Sequence, residues 1–347
     1  MRVLLTGGAG FIGSHIAEAL LEEGAEVVIV DSLLPQAHAQ PPASFPEGAE
    51  VHIADLRDED RMCVLARGVD AVCHQAARVG LGVSFQDVTG YVGENVLGTA
   101  SLLKALDHVG FDGRLVLASS MVVYGEGLYL CSEHGTVRAP ARDESALRAG
   151  LYEPCCPSCS LTLVPVAVGE DAVLDPRNVY AATKLHQEHL CNIFGRERGL
   201  PVAVLRYHNV YGPRMPRDTP YAGVAGMFRS SLEAGDPPLV FEDGGQLRDF
   251  VHVTDVARAN IRCLMSECID GAFNIASGVP RSVLDMATVL SEAMGGPAPE
   301  VTGSFRKGDV RHVFASPAKA TGELGFSAAV SFDEGMRGFA TEPLRTA

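Results

Sequence analysis

Across the first two hundred residues, short unbroken apolar runs alternate with longer stretches whose apolar positions recur every three or four residues. The runs read as strands buried on both faces, and the longer stretches as amphipathic helices. Strands are expected at Arg2–Thr6, Glu26–Asp31, Glu50–Ala54, Asp70–Ala77, Arg114–Ala118 and Pro201–Arg206. Helices are expected from the glycine-rich turn after Thr6 to Gly24, over Tyr91–Val109 and over Asn178–Arg198. The Pro- and Ala-rich stretch Leu34–Gly48 reads as a surface loop. Beyond Tyr207 the pattern loosens into Pro- and Gly-rich segments around helices at about 224–234, 254–267 and 282–294. Strand and helix in alternation predict an α/β fold with a doubly wound parallel sheet, whose ligand site lies beyond the carboxyl ends of the strands. Residues 1–206 would form that sheet, and residues 207–347 a smaller α/β substrate-binding region interleaved with it.

The turn between the first strand and the first helix, Gly7-Gly-Ala-Gly-Phe11-Ile12-Gly13, carries the first chemistry. At this spacing Gly7 lets the chain leave the strand sharply, Gly10 lets backbone approach a pyrophosphate, and Gly13 lets the helix pack close on the strand. The phosphates would rest on the free N–H groups of the helix N-terminus. Asp31, eighteen residues past Gly13, is placed to accept hydrogen bonds from a ribose diol. A 2′-phosphate would be repelled there, and Ser32, Leu33 and Leu34 offer no cation to hold one. This Rossmann-type fingerprint points to NAD. Asp55 and Leu56 at the third strand end suit an adenine ring, or else the acid favours a helix N-terminus. Ala76 and Ala77 leave room for the cofactor or simply pack closely, and Asn95 falls in the first turns of its helix.

Composition narrows the partners. With 47% hydrophobic and 20% charged residues the chain reads as an ordinary globular protein. A net charge of −15 and a pI near 5.1, with no stripe of Lys or Arg, argue against a nucleic-acid partner. No apolar run is long enough to span a membrane, and the first strand begins at the second residue, so no signal peptide is expected. A cytoplasmic setting, in which the nine cysteines stay reduced, is the expectation.

Tyr180 and Lys184 stand at i and i+4 on one helix face, and Ser119-Ser120 end the fifth strand. A phenol has an ordinary pKa of about 10, too high for a base at neutral pH. A neighbouring ammonium lowers it, and a serine hydroxyl can hold the substrate oxygen beside it. Together with the dinucleotide fingerprint, the set Ser120, Tyr180 and Lys184 reads as proton-transfer machinery.

At these residues the chain resembles the extended short-chain dehydrogenase/reductase family, the nucleotide-sugar epimerases and dehydratases. The matching stretches include His74-Gln-Ala-Ala77, Asn95, Ser119-Ser-Met-Val-Val-Tyr-Gly125, Arg206-Tyr-His-Asn-Val-Tyr-Gly-Pro213, Arg248-Asp-Phe-Val-His-Val253 and Arg306-Lys-Gly-Asp309. The resemblance implies Tyr180 as base, Lys184 on the nicotinamide ribose, and Ser120 orienting the substrate hydroxyl. It also implies Arg248 and Arg306 on the diphosphate, Asp309 on the ribose and Asn209 on a phosphate or sugar oxygen; ordinary surface ion pairs are the alternative for the two arginines. Where the 4,6-dehydratases carry an Asp-Glu pair, this chain has Met121 and Val122, neither of which moves a proton. The expectation is thus a redox-neutral, NAD-dependent 4-epimerase of a nucleotide-diphosphate sugar. The run His74–Ser84 looks most like a branch with dTDP-L-rhamnose 4-epimerase-like proteins, and family habit suggests a homodimer paired through the Tyr91–Val109 and Asn178–Arg198 helices. A dehydratase or net oxidoreductase, and a non-catalytic NAD-sensing scaffold, are the competing readings.

One departure stands apart. Ser120 and Tyr180 are sixty residues apart, and the extra chain, an insert at about 126–175, holds Cys131-Ser-Glu-His134 and Cys156-Pro-Ser-Cys159. Two knuckles with two-residue spacers supply the ligand set of a tetrahedral structural zinc. Reduced cysteines in a loop are the alternative, and Cys155 leaves open which thiol would ligate.

Overall fold

The computed structural model describes every residue except positions 36–37, 39–41, 43, 81–84, 218–222, 267–268, 307 and 346–347. Lys307, Leu81–Ser84 of the branch-like run and the expected helix end at Glu267 lie outside the described residues.

The chain begins with β1 (Arg2–Thr6), α1 (Phe11–Glu22), β2 (Glu26–Asp31), β3 (Glu50–Ile53), α2 (Glu59–Leu65) and β4 (Ala71–His74). The helix expected over Tyr91–Val109 is α3 (Val88–Tyr91), a π-helical turn (Val92–Leu97) and α4 (Gly98–His108), followed by β5 (Arg114–Ser120). The insert contributes β6 (Leu128–Cys131), β7 (Gly135–Arg138), α5 (Glu144–Arg148) and β8 (Val164–Val166), an antiparallel sheet in the order β7-β6-β8. Then come α6 (Val179–Arg198), β9 (Val202–Tyr207), β10 (Asn209–Tyr211), α7 (Val224–Glu233), β11 (Leu239–Val240), β12 (Leu247–His252) and α8 (Val253–Met265). The remainder is β13 (Gly271–Ile275), β14 (Pro280–Ser282), α9 (Val283–Met294), β15 (Glu300–Val301), α10 (Ala318–Leu324) and α11 (Phe332–Phe339).

The central sheet has seven parallel strands in the order β13-β9-β5-β4-β1-β2-β3. Its seventh strand, β13, comes from the region expected to form the substrate-binding part. Parallel strands buried on both faces need a helical cover on each side. On one side Ile16 and Leu20 of α1 pack with Val256 and Cys263 of α8 and with Leu324; on the other Met62, Leu106 and Phe194 of α2, α4 and α6 do the same. A separate core of Phe228, Leu232, Phe250, Met286, Leu290, Met336 and Phe339 builds the second lobe. The chain reversal between β4 and β1 leaves a crevice at the carboxyl end of the sheet, as strand order requires.

Candidate active site

That crevice is a cleft of about 370 Å³, lined at one end by the glycine turn, Ser32 and Asp55–Leu56 and at the other by Tyr207–Tyr211 and Phe250. Gly7 adopts φ +70°, and a Cβ there would lie 2.6 Å from the Ala76 backbone N. A Cβ on Gly13 would meet the Gly7 carbonyl oxygen at 2.1 Å. No side chain caps α1, so its first-turn N–H groups face the cleft beside Phe11 and Ile12. Asp31, at the tip of β2, accepts from Ala9 N (3.1 Å) and Leu33 N (2.9 Å). These features fit a dinucleotide: a cradle that side chains would fill, uncapped amides for phosphates, and an acid for a ribose. The sequence window around Asp31 shows no cation, but folding brings two basic groups to this rim. His38 Nε2 lies 3.5 Å from Asp31, and Arg345 bonds to His38 Nδ1 and to the Ala9 carbonyl (2.8 Å).

Asn95, which the family resemblance implies as a cofactor residue, does not line the cleft. It is fully buried in the π turn, its Oδ1 accepts from Arg78 N (2.6 Å), and its Nδ2 donates to the Arg78 carbonyl (3.0 Å) and Thr183 Oγ1 (2.9 Å). Both amide atoms are therefore spent on fastening the loop after β4 to α6, behind the cleft wall rather than in it. Ala76, Ala77, Asp55 and Leu56 do line the cleft, Asp55 also pairing with Arg57 at 2.5 Å.

Asn178 caps α6, its side chain accepting from Ala181 N at 2.8 Å, so Tyr180 and Lys184 project from the first two turns. Both are buried and both line the cleft with Ser120. Register puts Ser120 opposite Tyr207 where β5 and β9 pair, so strand ends and helix start converge. Burial pushes the Tyr180 phenol above its ordinary range, while the Ser120 hydrogen bond pulls the other way. The sequence implied a phenol lowered by Lys184. In the protein alone the direction is reversed by burial of the phenol itself; Lys184 donates to the Ala118 carbonyl (2.9 Å), and its own burial brings it down to about 8. Beneath the site, Arg206 and Glu188 form a buried pair (2.9 Å) and Ser119 Oγ donates to Glu188 (2.5 Å).

Asn209 lines the cleft with its Oδ1 buried and unpartnered, as a ligand-facing acceptor would be. Next to it, His208 was not singled out by sequence. Its ring is buried, neither nitrogen makes a well-formed hydrogen bond among the described residues, and burial takes its pKa down to about 3 against a weaker opposing pull from nearby Asn274. A signal existed, since an imidazole stands inside the Arg206–Pro213 motif. Arg248, Arg306 and Asp309 do not line this cleft. They gather about the segment 303–312, where Arg248 donates to the carbonyls of Leu247, Val310 and Arg311 and Arg306 lies 5.0 Å from the Phe241 ring.

A second cluster sits in the insert. Cys131, His134, Cys156 and Cys159 place their ligand atoms within 4.8 Å of one another. Cys131 Sγ lies 3.6 Å from both His134 Nδ1 and Cys159 Sγ, and Cys156 Sγ lies 3.7 Å from His134 Nδ1. Cys155 is exposed and points to the Glu153 carbonyl instead, which removes the ambiguity between adjacent thiols.

The model of the NAD dependent epimerase/dehydratase family matches residues 3–146 and 163–276. The chain belongs to this family. The dTDP-L-rhamnose 4-epimerase of Burkholderia thailandensis is 34% identical over 96% of this chain and 93% of its own. Among solved structures, the UDP-glucose 4-epimerase of Thermus thermophilus in complex with NAD superposes with a TM-score of 0.77 at 32% identity, covering 98% of both chains. That of Thermotoga maritima with UDP-glucose gives 0.80 at 28% identity over 98% of this chain and 97% of the other. Residues 147–162 of this chain, which the family model leaves unmatched, contain Cys156 and Cys159.

Proposed function

We propose that this protein is an NAD-dependent isomerase that inverts C4 of a nucleotide-diphosphate sugar, and that its insert holds a structural zinc. The observation that carries the reading is the meeting of Ser120, Tyr180 and Lys184 in the cleft that the glycine turn opens into, with no acid at Met121 or Val122. The dTDP-L-rhamnose and UDP-hexose activities of its relatives support the substrate class. Gly7, Gly10, Gly13, Asp31 and Lys184 would hold NAD, which when bound accepts a hydride and returns it, leaving no net redox change. Tyr180 takes the proton of the C4 hydroxyl and later gives it back. Ser120 holds the oxygen during both transfers, and the positive charge of the neighbouring Lys184 ammonium favours the phenolate against the desolvation that raises the phenol pKa. Asn209 holds a sugar or phosphate oxygen. Arg248, Arg306 and Asp309 serve the diphosphate and its ribose.

Two features support zinc. Bond lengths of about 2.3 Å to sulfur and 2.0 Å to nitrogen give tetrahedral edges of about 3.5–3.8 Å, matched by the three contacting pairs of the cluster at 3.6, 3.6 and 3.7 Å. Backbone N–H groups of Ser158 and, less, Cys159 bring the Cys156 thiol down to about 7, while, against the Leu161 backbone N–H, burial and hydrogen bonds with Cys131 and Cys156 leave Cys159 raised to about 11, so one thiolate of the pair is favoured and a metal would displace the proton of the other. With four protein ligands the site leaves no position for a substrate or water, so its role is structural. Val92, Leu97 and Ile193, exposed apolar residues on the Val88–His108 stretch and α6, support a homodimer through these helices, and a cytoplasmic location keeps the thiols reduced.

The test is to incubate the protein with UDP- and dTDP-hexoses and 6-deoxyhexoses, following C4 by proton NMR and NADH by absorbance. Inversion at C4 without NADH accumulation is expected, and Tyr180→Phe should lower kcat by roughly 10²- to 10⁴-fold with NAD content unchanged. A 4-keto-6-deoxy product would overturn the reading.

A further inference from the structure

The insert meets the segment 303–312 along a run of polar contacts, buried at Glu126, Glu242, Arg311 and His312 and open to solvent at Glu153. Glu126 Oε1 accepts the backbone N–H groups of Arg311 (2.7 Å) and His312 (3.2 Å). Arg142 donates to the Asp309 carbonyl (2.7 Å) and pairs with the buried Glu242 (2.8 Å). Glu153 holds two neighbours at once. One oxygen accepts from Nε and Nη2 of Arg311 (2.9 and 2.6 Å), and the other lies 2.9 Å from His312 Nε2. Because Leu247 N donates to His312 Nδ1 (3.1 Å), the ring proton sits on Nε2 and is given to Glu153.

These contacts lead in two directions. Toward the cysteines, Glu153 stands at the stem of the hairpin that presents Cys156 and Cys159, closed by Leu163 N to the Pro154 carbonyl (2.9 Å) and Cys156 N to the Leu161 carbonyl (2.8 Å). Toward the substrate region, the carbonyls of Val310 and Arg311 receive the Arg248 guanidinium (2.7 and 2.9 Å). Arg311 itself is 1% exposed, and Glu242 and Asp243 answer its charge together with Glu153. Loss of Glu153 alone therefore leaves Arg311 neutralised and loosens the segment, with the Glu126 and Arg142 contacts to it still in place.

We propose that the insert is a clamp, fastened by its Cys/His centre, in which Glu153 is a positioning residue for the segment 303–312, so that it sets affinity for the nucleoside diphosphate half of the substrate and not the chemistry at the sugar. This rests on the reading above that Arg248, Arg306 and Asp309 hold that half. Coupling of this kind travels through contiguous packed and hydrogen-bonded groups, and its loss changes affinity by roughly 2- to 30-fold.

The test compares wild type, Glu153→Ala, Glu153→Gln and Cys156→Ser by amide hydrogen exchange over 303–312, titration calorimetry with UDP and dTDP, metal content and steady-state kinetics. Glu153→Ala is expected to speed exchange over 303–312 and raise both Kd and KM within that range, with kcat and NAD content unchanged. Glu153→Gln, which still accepts from Arg311 but no longer takes the His312 proton, should fall between. Cys156→Ser should lose metal and reproduce the faster exchange, which keeps the clamp testable if Glu153→Ala fails to fold. Unchanged exchange in both Glu153→Ala and Cys156→Ser, or a loss confined to kcat, overturns the clamp. If wild type binds neither nucleotide, the substrate reading and the proposed effect on affinity fall together, while exchange over 303–312 still tells whether Glu153 holds the segment.

Discussion

His74 and His208 show how single side chains are set by burial rather than by type. Both are buried, and desolvation takes each down to about 3, so both imidazoles stay neutral in the folded protein throughout the physiological range. His74 is content in that state, bonded to Thr6 Oγ1 (2.7 Å) and Thr99 Oγ1 (2.8 Å), whereas His208 makes no well-formed hydrogen bond among the described residues, with Asn274 nearby, and faces the cleft. A histidine whose pKa is lowered on folding binds fewer protons in the native state than in the unfolded one, where it titrates near 6.5. Its penalty is absent above that value and grows as pH falls toward 3. His208→Phe should therefore flatten the pH dependence of stability between pH 6 and 4 by about 1.4 kcal/mol per pH unit. Denaturant unfolding of both proteins at several pH values measures this, and parallel curves would count against a neutral buried imidazole. Residue types with one dominant use, such as Tyr180 and Lys184, were legible in sequence. The direction of their pKa shifts was not, because it depends on which carbonyl the ammonium finds and on how much water the fold excludes.

Among the elements, the turn from β1 to α1 is the most tightly determined. Its glycines are required by distances of 2.1 Å at Gly13 and 2.6 Å at Gly7 to backbone atoms that cannot move aside. Gly13→Ala should lower stability by about 1–3 kcal/mol and strip bound NAD, seen as a lower Tm and loss of cofactor on gel filtration. Retention of both would mean that the helix can shift from the strand at little cost. The helix after β4 teaches the opposite lesson. Its apolar spacing was clear, but the π turn at Val92–Leu97, which turns Asn95 inward to hold the Arg78 loop, follows from contacts with α6 that no local pattern records.

At the scale of the whole molecule, stability is unevenly supplied. The central sheet buries large apolar faces on both sides, whereas the insert's own core is Tyr129, Cys131, Ala139, Cys156 and Leu163. So small a core needs a staple. A strong chelator should release about one zinc per chain and melt the insert, with far-UV circular dichroism of the parallel sheet largely kept and tryptic cleavage appearing within 126–175. No metal in the purified protein, with the insert equally protected, would sink the zinc reading. Sequence by itself determined the strand–helix alternation, the glycine turn, the meeting of Ser120, Tyr180 and Lys184 in one cleft and the pairing of the two Cys/His knuckles. Each of these is assembled from motifs written in residues a few positions apart and imposed by local sterics, helical period or ligand spacing. Only the tertiary structure decided that β13 completes the sheet, that Arg345 reaches the rim of Asp31, that His208 faces the cleft, and that Glu153 grips Arg311 across 158 positions. Such contacts depend on how distant segments are brought together when apolar faces are buried, and no stretch of the chain carries both partners.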